Sequence, residues 1–492
     1  MESTSRTVGI SMNGSRFAVI RRLGQIRKLA THIFLSTACI LVLAMPLLAD
    51  PPRKWNLLLI TVDDMNADSV GWMGNKLNLT PNVDAFARSA HRFVNNHNIC
   101  PICQPGREAL LTGRVPHRSG GLGFNPIRKD VPTLVEVLKA AGYHTAAIEK
   151  IPHMAPAEKF PWDDKRQGGI GKDPSKMRAA VRDILGKAAD AKKPFFLNAN
   201  ITDPHRPFFG AGGKNAKGDG STSGITPLTA REVFVPSFLE DLPRVREELA
   251  QYYSSIKRLD VSFGAIMDEL SAAGRQDDTL VVFWSDHGMS FPFSKATVYH
   301  NGTWSPVLVR TPGMGKPQDR AEFVSSVDVM PSLLELLHVE APMGMDGRSW
   351  VALLNGEAQP DRDFVVTHVN TVSSGKSFAQ RCVRTKTHSL QFHAWVGAGI
   401  AFRVEAMSGL TFAAMNASTD EKVKRRVKQL VVGEKLALFD LTTDPDERNN
   451  VIGQKGYAKT LADLSERLLA HMKNTNDPQT QAFEAALTQR PK

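Results

Sequence analysis

The chain has 492 residues, 42% of them hydrophobic and 23% charged, with a formal net charge of +11 and four cysteines. That length exceeds one ordinary core, so one large domain and a smaller one are expected. The composition excludes a disordered chain and a disulfide framework, and no block of like charge points to nucleic acid as a partner.

The first predicted element is an export signal over residues 1–49. Arg16, Arg21, Arg22, Arg27 and Lys28 precede an apolar run from Ile33 to Ala49, which ends in a small residue just before Asp50. This is the pattern of a cleaved signal peptide. A run of 17 residues is also marginal for a membrane span, so a retained anchor is the alternative. The expected destination is the periplasm or extracellular space (the lysosome in a eukaryote), with no membrane attachment after cleavage. Residues 1–49 hold six Arg/Lys and one Glu, so +6 remains on the rest, a balance that suits an anionic substrate. Cys39 falls in the signal, which leaves Cys100, Cys103 and Cys382.

Asn56–Val62 is a continuous apolar run, the pattern of a buried parallel strand, and it ends in Asp63-Asp64. Thr80-Pro81 predicts a helix start, with Thr as N-cap and Pro at the first position. Thr133-x-x-Glu136 is a capping box, and Gly142 ends that helix. Tyr143–Ile148 reads as a strand leading to Lys150, and Pro194–Asn200 as another leading to His205. Gly210–Gly224 has no apolar period and reads as a long loop. Arg246–Ala273 predicts a long helix, because Leu249, Tyr252, Ile256, Leu259, Phe263, Ile266 and Leu270 recur at steps of three and four. Thr279–Trp284 is a strand ending in Ser285-Asp286-His287.

Strands alternating with helices indicate an α/β fold with a mostly parallel sheet. Such sheets bind ligands beyond the carboxyl ends of their strands, which gathers Asp63, Asp64, Lys150, His205, Asp286 and His287 on one rim. After Pro342 the pattern changes to short strands and turns, including Leu436–Leu441, followed by a terminal helix over Tyr457–Met472. The expected organisation is therefore a signal (1–49), a catalytic domain (50–345) and a smaller C-terminal α+β subdomain (346–492).

Cys103-Gln104-Pro105-Gly106-Arg107, followed by Leu111-Thr112-Gly113-Arg114, resembles the C-x-P-x-R signature and trailing LTGR of the type I formylglycine-dependent sulfatases, in the alkaline phosphatase superfamily. The order of Phe195-Phe196-Leu197, Asp203-Pro204-His205-Arg206, Ser285-Asp286 and Leu438-Phe439-Asp440-Leu441 is most similar to the heparan N-sulfatase (sulfamidase) branch. The resemblance implies an alkaline-phosphatase-like sheet sandwiched by helices. It also implies that a sulfatase-maturing, formylglycine-generating enzyme oxidises Cys103. One hydroxyl of the aldehyde hydrate then attacks sulfur, and the second expels sulfate, which splits one hard step into two. Arg107 would hold the nucleophile's oxygen. Asp63, Asp64, Asp286 and His287, with residue 103, would hold one divalent ion, Ca2+. Lys150 would bind sulfate, His153 would take the proton of the hydrate, and His205 and Lys295 would serve the leaving group.

Each feature has a plainer reading. Cys100-x-x-Cys103 is also a redox spacing, an Asp-Asp pair also caps helices or turns, His205 also suits a turn, and a loop Lys or Lys-His pair is also merely solvated. Gly106 stands where the family often has Ser, and Glu149 stands where it has Gly, which puts a negative charge beside Lys150. In the C-terminal part, His368, Arg384 and His388 are candidates to reach a sugar. The implied activity is release of sulfate, from oxygen or nitrogen, on a sulfated carbohydrate. The alternatives are a phosphate or phosphonate ester hydrolase of the same superfamily, and a non-catalytic protein that binds sulfated glycans.

Overall fold

Strand β1 (Asn56–Val62) is buried along its whole length, and its alternating side chains serve two cores. Leu58, Ile60 and Val62 share one core with Leu249, Ile256, Leu259 and Phe263 of the Pro243–Ala272 helix. Leu57 and Leu59 share the other with Leu134, Leu138, Met330 and Leu333. The computed structural model describes residues 54–211 and 224–489, so the expected signal over 1–49 and residues 212–223 of the expected loop lie outside the described residues.

Seven further strands complete the large sheet: β2 (His91–Asn96), β3 (His144–Ile148), β4 (Asp164–Arg166), β5 (Phe195–Ile201), β6 (Thr279–Ser285), β7 (Val307–Arg310) and β8 (Asp319–Val324). Their order is β4-β3-β5-β1-β6-β7-β2-β8. Neighbours run parallel except at β7, which is antiparallel to β6 and to β2. The mostly parallel sheet is therefore as expected, with β5, β1 and β6 side by side at its centre.

The residues expected to form the stripe on the long helix are all buried. The helix itself begins earlier than expected, at Pro243, where proline fits the first position. The Thr133–Glu136 capping box forms. Thr80 departs from its expected role. It makes no side-chain cap, and its hydroxyl donates to Asp84 instead. The free N–H groups of Asn82 and Val83 are met by the Asp260 carboxylate of the long helix, at 3.0 and 2.9 Å.

A second, antiparallel sheet follows, in the order β12-β11-β10-β9: β9 (Phe364–Thr371), β10 (Ser377–Thr385), β11 (His388–His393) and β12 (Leu436–Asp440). Val366, Val383, Leu390, Phe392 and Leu438 pack under Leu461, Leu464, Leu468 and Phe483 of the terminal helices. Val369, Phe378, Cys382 and Phe439 join the core beneath the large sheet instead. The smaller α+β part thus shares apolar packing with the first, and the chain from Trp55 onward is one compact unit.

Two outcomes follow from this packing. Leu259→Ala removes a fully buried side chain from the long helix and lowers stability by about 2–5 kcal/mol; a chemical denaturation midpoint equal to that of the parent would contradict the assignment. Burial also drives His300 down to about 3 and His393 to about 4, from an ordinary 6.5. The unfolded chain binds these protons first as pH falls, so the contribution is complete above the unfolded value of 6.5 and is lost on the way down to about 4. Each group withdraws up to about 1.4 kcal/mol per pH unit in that window. The melting temperature is therefore lower at about pH 5 than at about pH 7.5, and a flat profile would refute this.

Candidate active site

Cys103 opens the helix Cys103–Thr112, and Arg107 lies one turn on, so both side chains leave the same face. Arg107 spans the ends of the three central strands. Its Nη2 lies 3.2 Å from Asp63 Oδ1 and 3.0 Å from Asp286 Oδ2. Its Nη1 donates to Thr61 Oγ1 at 2.8 Å and to Asn200 Oδ1 at 2.6 Å. The guanidinium therefore locks the Cys103–Thr112 helix onto β1, β5 and β6.

The cluster is a set of buried, cross-paired charges. Lys150 pairs with Asp63, and Lys295 Nζ lies 3.0 Å from Asp64 Oδ1. Both Asp64 and Lys150 have left-handed backbones, with φ of 64° and 56°, which turn these side chains inward just past their strand ends. Burial pushes the Asp63 carboxyl up, but Lys150, Asp286, His205 and Arg107 outweigh it and hold it well below the ordinary range. Asp64 is likewise lowered, against burial, chiefly by Lys295. Burial and the Asp63 charge push Asp286 well up.

Cys103 Sγ lies 3.2 Å from His287 Nε2 and sits inside this cluster. Burial first, then the Asp63 charge, pushes its thiol well above the ordinary range. A thiol held protonated is a poor nucleophile, which argues against direct thiolate chemistry. Cys100 and Cys103 are both free thiols, so no disulfide joins the C-x-x-C pair. Gly106 has a steric reason: a Cβ there would come within 2.8 Å of the Cys100 carbonyl oxygen.

The donor set suits a divalent cation. Asp63, Cys103, Asp286 and His287 place ligand atoms within 4.8 Å of one another, as do Asp63, Asp64, Cys103 and His205. Asp64 Oδ1 is buried, with Lys295 Nζ at 3.0 Å as its near cation. His287 gives its Nδ1–H to Gly288 O at 2.9 Å, which leaves Nε2 as an acceptor 3.2 Å from Cys103 Sγ and 3.4 Å from Asp64 Oδ1. Burial keeps that ring neutral, with its pKa down to about 4.

A cavity of 380 Å³ opens over Cys103, lined by Phe124, Lys150, His153, His205, Ser373 and Glu405 among others. Burial, then Lys150, lowers His153 to about 3, so it is neutral, and its buried Nδ1 has no partner. His205 follows Asp203, whose carboxylate is clamped by Arg258 Nε and Nη2 at 2.6 and 2.9 Å. Both ring nitrogens of His205 face oxygens: Nδ1 lies 2.6 Å from Arg206 O, and Nε2 lies 3.7 Å from Glu405 Oε1. Glu405 Oε2 also lies 3.3 Å from Lys295 Nζ.

Cys103, Arg107, Asp63, Asp64, Lys150, His153, His205, Asp286, His287 and Lys295 thus meet in one cluster and its cavity. The charge of Glu149 is turned away from Lys150, toward the N–H groups of Gly168 and Ile170 at 3.0 and 2.6 Å. The three C-terminal candidates do not line this cavity. Arg384 is buried against Glu447, His388 hydrogen-bonds Thr387, and His368 faces His471. Sequence reasoning missed Glu405 and Ser373, which come from beyond the large sheet, and Asn200. An Asn amid the apolar run of β5 was the one legible signal.

The sulfatase family model matches residues 55–339, and a model described as N-sulphoglucosamine sulphohydrolase, C-terminal, matches residues 286–395. The chain is similar to N-sulphoglucosamine sulphohydrolase of Homo sapiens, 29% identical over 491 residues that cover 92% of this chain and 96% of the relative. It is similar to an ulvan-active sulfatase of Formosa agariphila, 28% identical over 389 residues, covering 69% of this chain and 73% of the relative. A solved structure of a protein in complex with its substrate D-glucosamine-2-N,6-O-disulfate shares the fold, with a TM-score of 0.65 at 18% identity, over 87% of this chain and 99% of that one. So does the phosphonate monoester hydrolase of Agrobacterium radiobacter, with a TM-score of 0.65 at 16% identity, over 86% and 96%. With a family match that spans more than half of its residues and contains the whole carboxylate cluster, the chain belongs to the sulfatase family of sulfuric ester hydrolases.

Proposed function

We propose that this enzyme removes sulfate from a sulfated glycan, by cleaving an N–S or O–S bond, with a formylglycine made from Cys103 as the nucleophile. The observation that carries this reading is Cys103 itself: a buried, protonated thiol at a helix start, surrounded by three carboxylates and three cations that cross-pair. The relatives support the substrate class. One is named for N-sulphoglucosamine, another for ulvan, and a neighbour of the same fold holds a glucosamine disulfate.

Once formed, the formylglycine hydrate supplies one hydroxyl that takes the sulfuryl group and a second that releases it. A calcium ion held by Asp63, Asp64, Asp286 and His287 would supply positive charge to the sulfate oxygens; the hard carboxylates favour it, although His287 Nε2 is an uncommon donor for calcium.

The chain's own residues do the rest. Lys150 and Lys295 reach the cluster, and although burial pulls both pKa values down, Asp63 and Asp64 outweigh it and keep both protonated to neutralise an incoming sulfate. Arg107 fixes the carboxylates and the helix that carries residue 103. Neutral His153, on the cavity wall, accepts a proton from the nucleophile's hydroxyl. His205 gives its Nε2 proton to the departing nitrogen or oxygen, and Glu405 steers that ring. In this reading residues 1–49 carry the chain out to where sulfated glycans are met.

Two measurements test the proposal. Protein matured by a formylglycine-generating enzyme should carry the aldehyde at residue 103 by peptide mass and release sulfate from N-sulfoglucosamine or an O-sulfated sugar. Cys103→Ala should lose at least about 1000-fold in rate, since it removes the nucleophile outright. Undiminished turnover in that variant, or faster cleavage of a matched phosphonate ester, would sink the reading. Glu405→Gln should lower kcat about tenfold or more with a smaller change in KM, because positioning of the proton donor is felt in the transition state. An unchanged kcat would take Glu405 out of the proton path.

A further inference from the structure

Three histidines converge at a second place, which is independent of the Cys103 chemistry. His117 lies in the short helix Pro116–Ser119, His368 in β9, and His471 in the Ala458–Asn474 helix, with Asp477 just beyond it. The rings of His117 and His368 stack at 5.4 Å, only 6° from parallel. His368 and His471 meet edge to face, with their Nε2 atoms 3.1 Å apart. His117, His368 and Asp477 each offer a ligand atom, all within 4.8 Å of one another.

The protons of this cluster leave lone pairs unanswered. His117 Nε2 lies 3.0 Å from the Thr475 carbonyl oxygen, so it donates there, and its Nδ1 is bare. That Nδ1 lies 4.0 Å from Asp477 Oδ2. The two facing Nε2 atoms of His368 and His471 share a single proton. His117 Nδ1 and His368 Nδ1 are both buried without a hydrogen-bond partner. Asp477 is paired with Arg381, but a carboxylate keeps further acceptor sites. Burial pushes His117 down, His368 well down and His471 to about 4, so all three rings are neutral and fit to coordinate at neutral pH.

We propose that His117, His368 and Asp477, with His471 beside them, bind a divalent transition metal of the zinc class. Imidazole nitrogens favour zinc, nickel or copper over calcium or magnesium, which separates this site from the carboxylate cluster. A cation at the convergence answers the orphaned Nδ1 atoms of His117 and His368, with the Asp477 carboxylate as third ligand. A cavity of 460 Å³, lined by His471, Thr475, Val115 and Asp346 among others, gives an ion a way in. The metal would staple the segment that continues the nucleophile helix to β9 and to the terminal helix, so its effect is on stability.

The test uses the full chain after chelator treatment, titrated with Zn2+ and, separately, with Co2+. The expected result is a zinc-dependent rise in melting temperature and a visible cobalt absorption of tetrahedral nitrogen ligation. Both should vanish in His368→Leu and persist in Asp64→Asn, which alters only the carboxylate cluster. Should the buried substitution fail to fold, His117→Gln, on the same triad, replaces it, and the cobalt spectrum of the parent stands by itself. No zinc-dependent shift and no such band in the parent would overturn the proposal. So would a response that survives the histidine substitutions or is lost in Asp64→Asn.

Discussion

The structure of the active site depends on one buried interaction, the bridge from Arg107 to Asp63 and Asp286. Carboxylates taken out of water cost many kcal/mol unless paired and hydrogen-bonded. A planar guanidinium with five donors meets that demand at several places at once. Here it reaches β1 through Asp63 and Thr61, β5 through Asn200 and β6 through Asp286. Because Arg107 lies one helical turn from Cys103, docking the guanidinium also docks Cys103. The spacing of the C-x-P-x-R motif is thus a statement about one face of a helix.

Around that bridge, three carboxylates and three side-chain cations nearly cancel. Asp63 and Asp64 are held ionised by Lys150 and Lys295, whereas Asp286, beside Asp63, is pushed toward its protonated form. Two like charges so close cannot both be free in a buried site. Added positive charge resolves that conflict, and the arrangement is therefore poised for a cation. Burial first, and then the same Asp63 charge, keeps the thiol of Cys103 protonated.

The second sheet takes part in the chemistry. Its inner face joins the core below the large sheet through Val369, Phe378 and Phe439, which fixes its loops over the rim. From there Ser373 and Glu405 close the cavity, and Glu405 faces both His205, at 3.7 Å, and Lys295, at 3.3 Å. The face toward the terminal helices carries the histidine cluster on the other side of the β9–β10 pair. Catalytic and structural demands thus fall on opposite edges of the same small sheet.

Much of this was legible in the chain. Continuous apolar runs marked β1, β5 and β6 because a strand covered on both faces has no polar side to alternate with. The acidic pairs, the Lys-x-x-His spacing and the Asp-Pro-His turn were legible because each sits where a buried strand surfaces at the rim. Short edge strands such as β4 and β8 were not, since their mixed polarity carries no period. Thr80 misled because a carboxylate from a distant helix took over its capping role. His368, Arg384 and His388 misled because residue type says nothing about which face of a sheet a side chain meets. What the sequence by itself determined was the family, the Cys103 motif and the buried strands whose ends carry the acidic and basic residues around it, all local patterns. Only the tertiary structure decided that Glu405 enters the cavity, that Glu149 turns away, and that three histidines spread over 355 positions meet. Those depend on how two sheets pack through a shared apolar core, and long-range packing leaves no periodic mark on the residues it brings together.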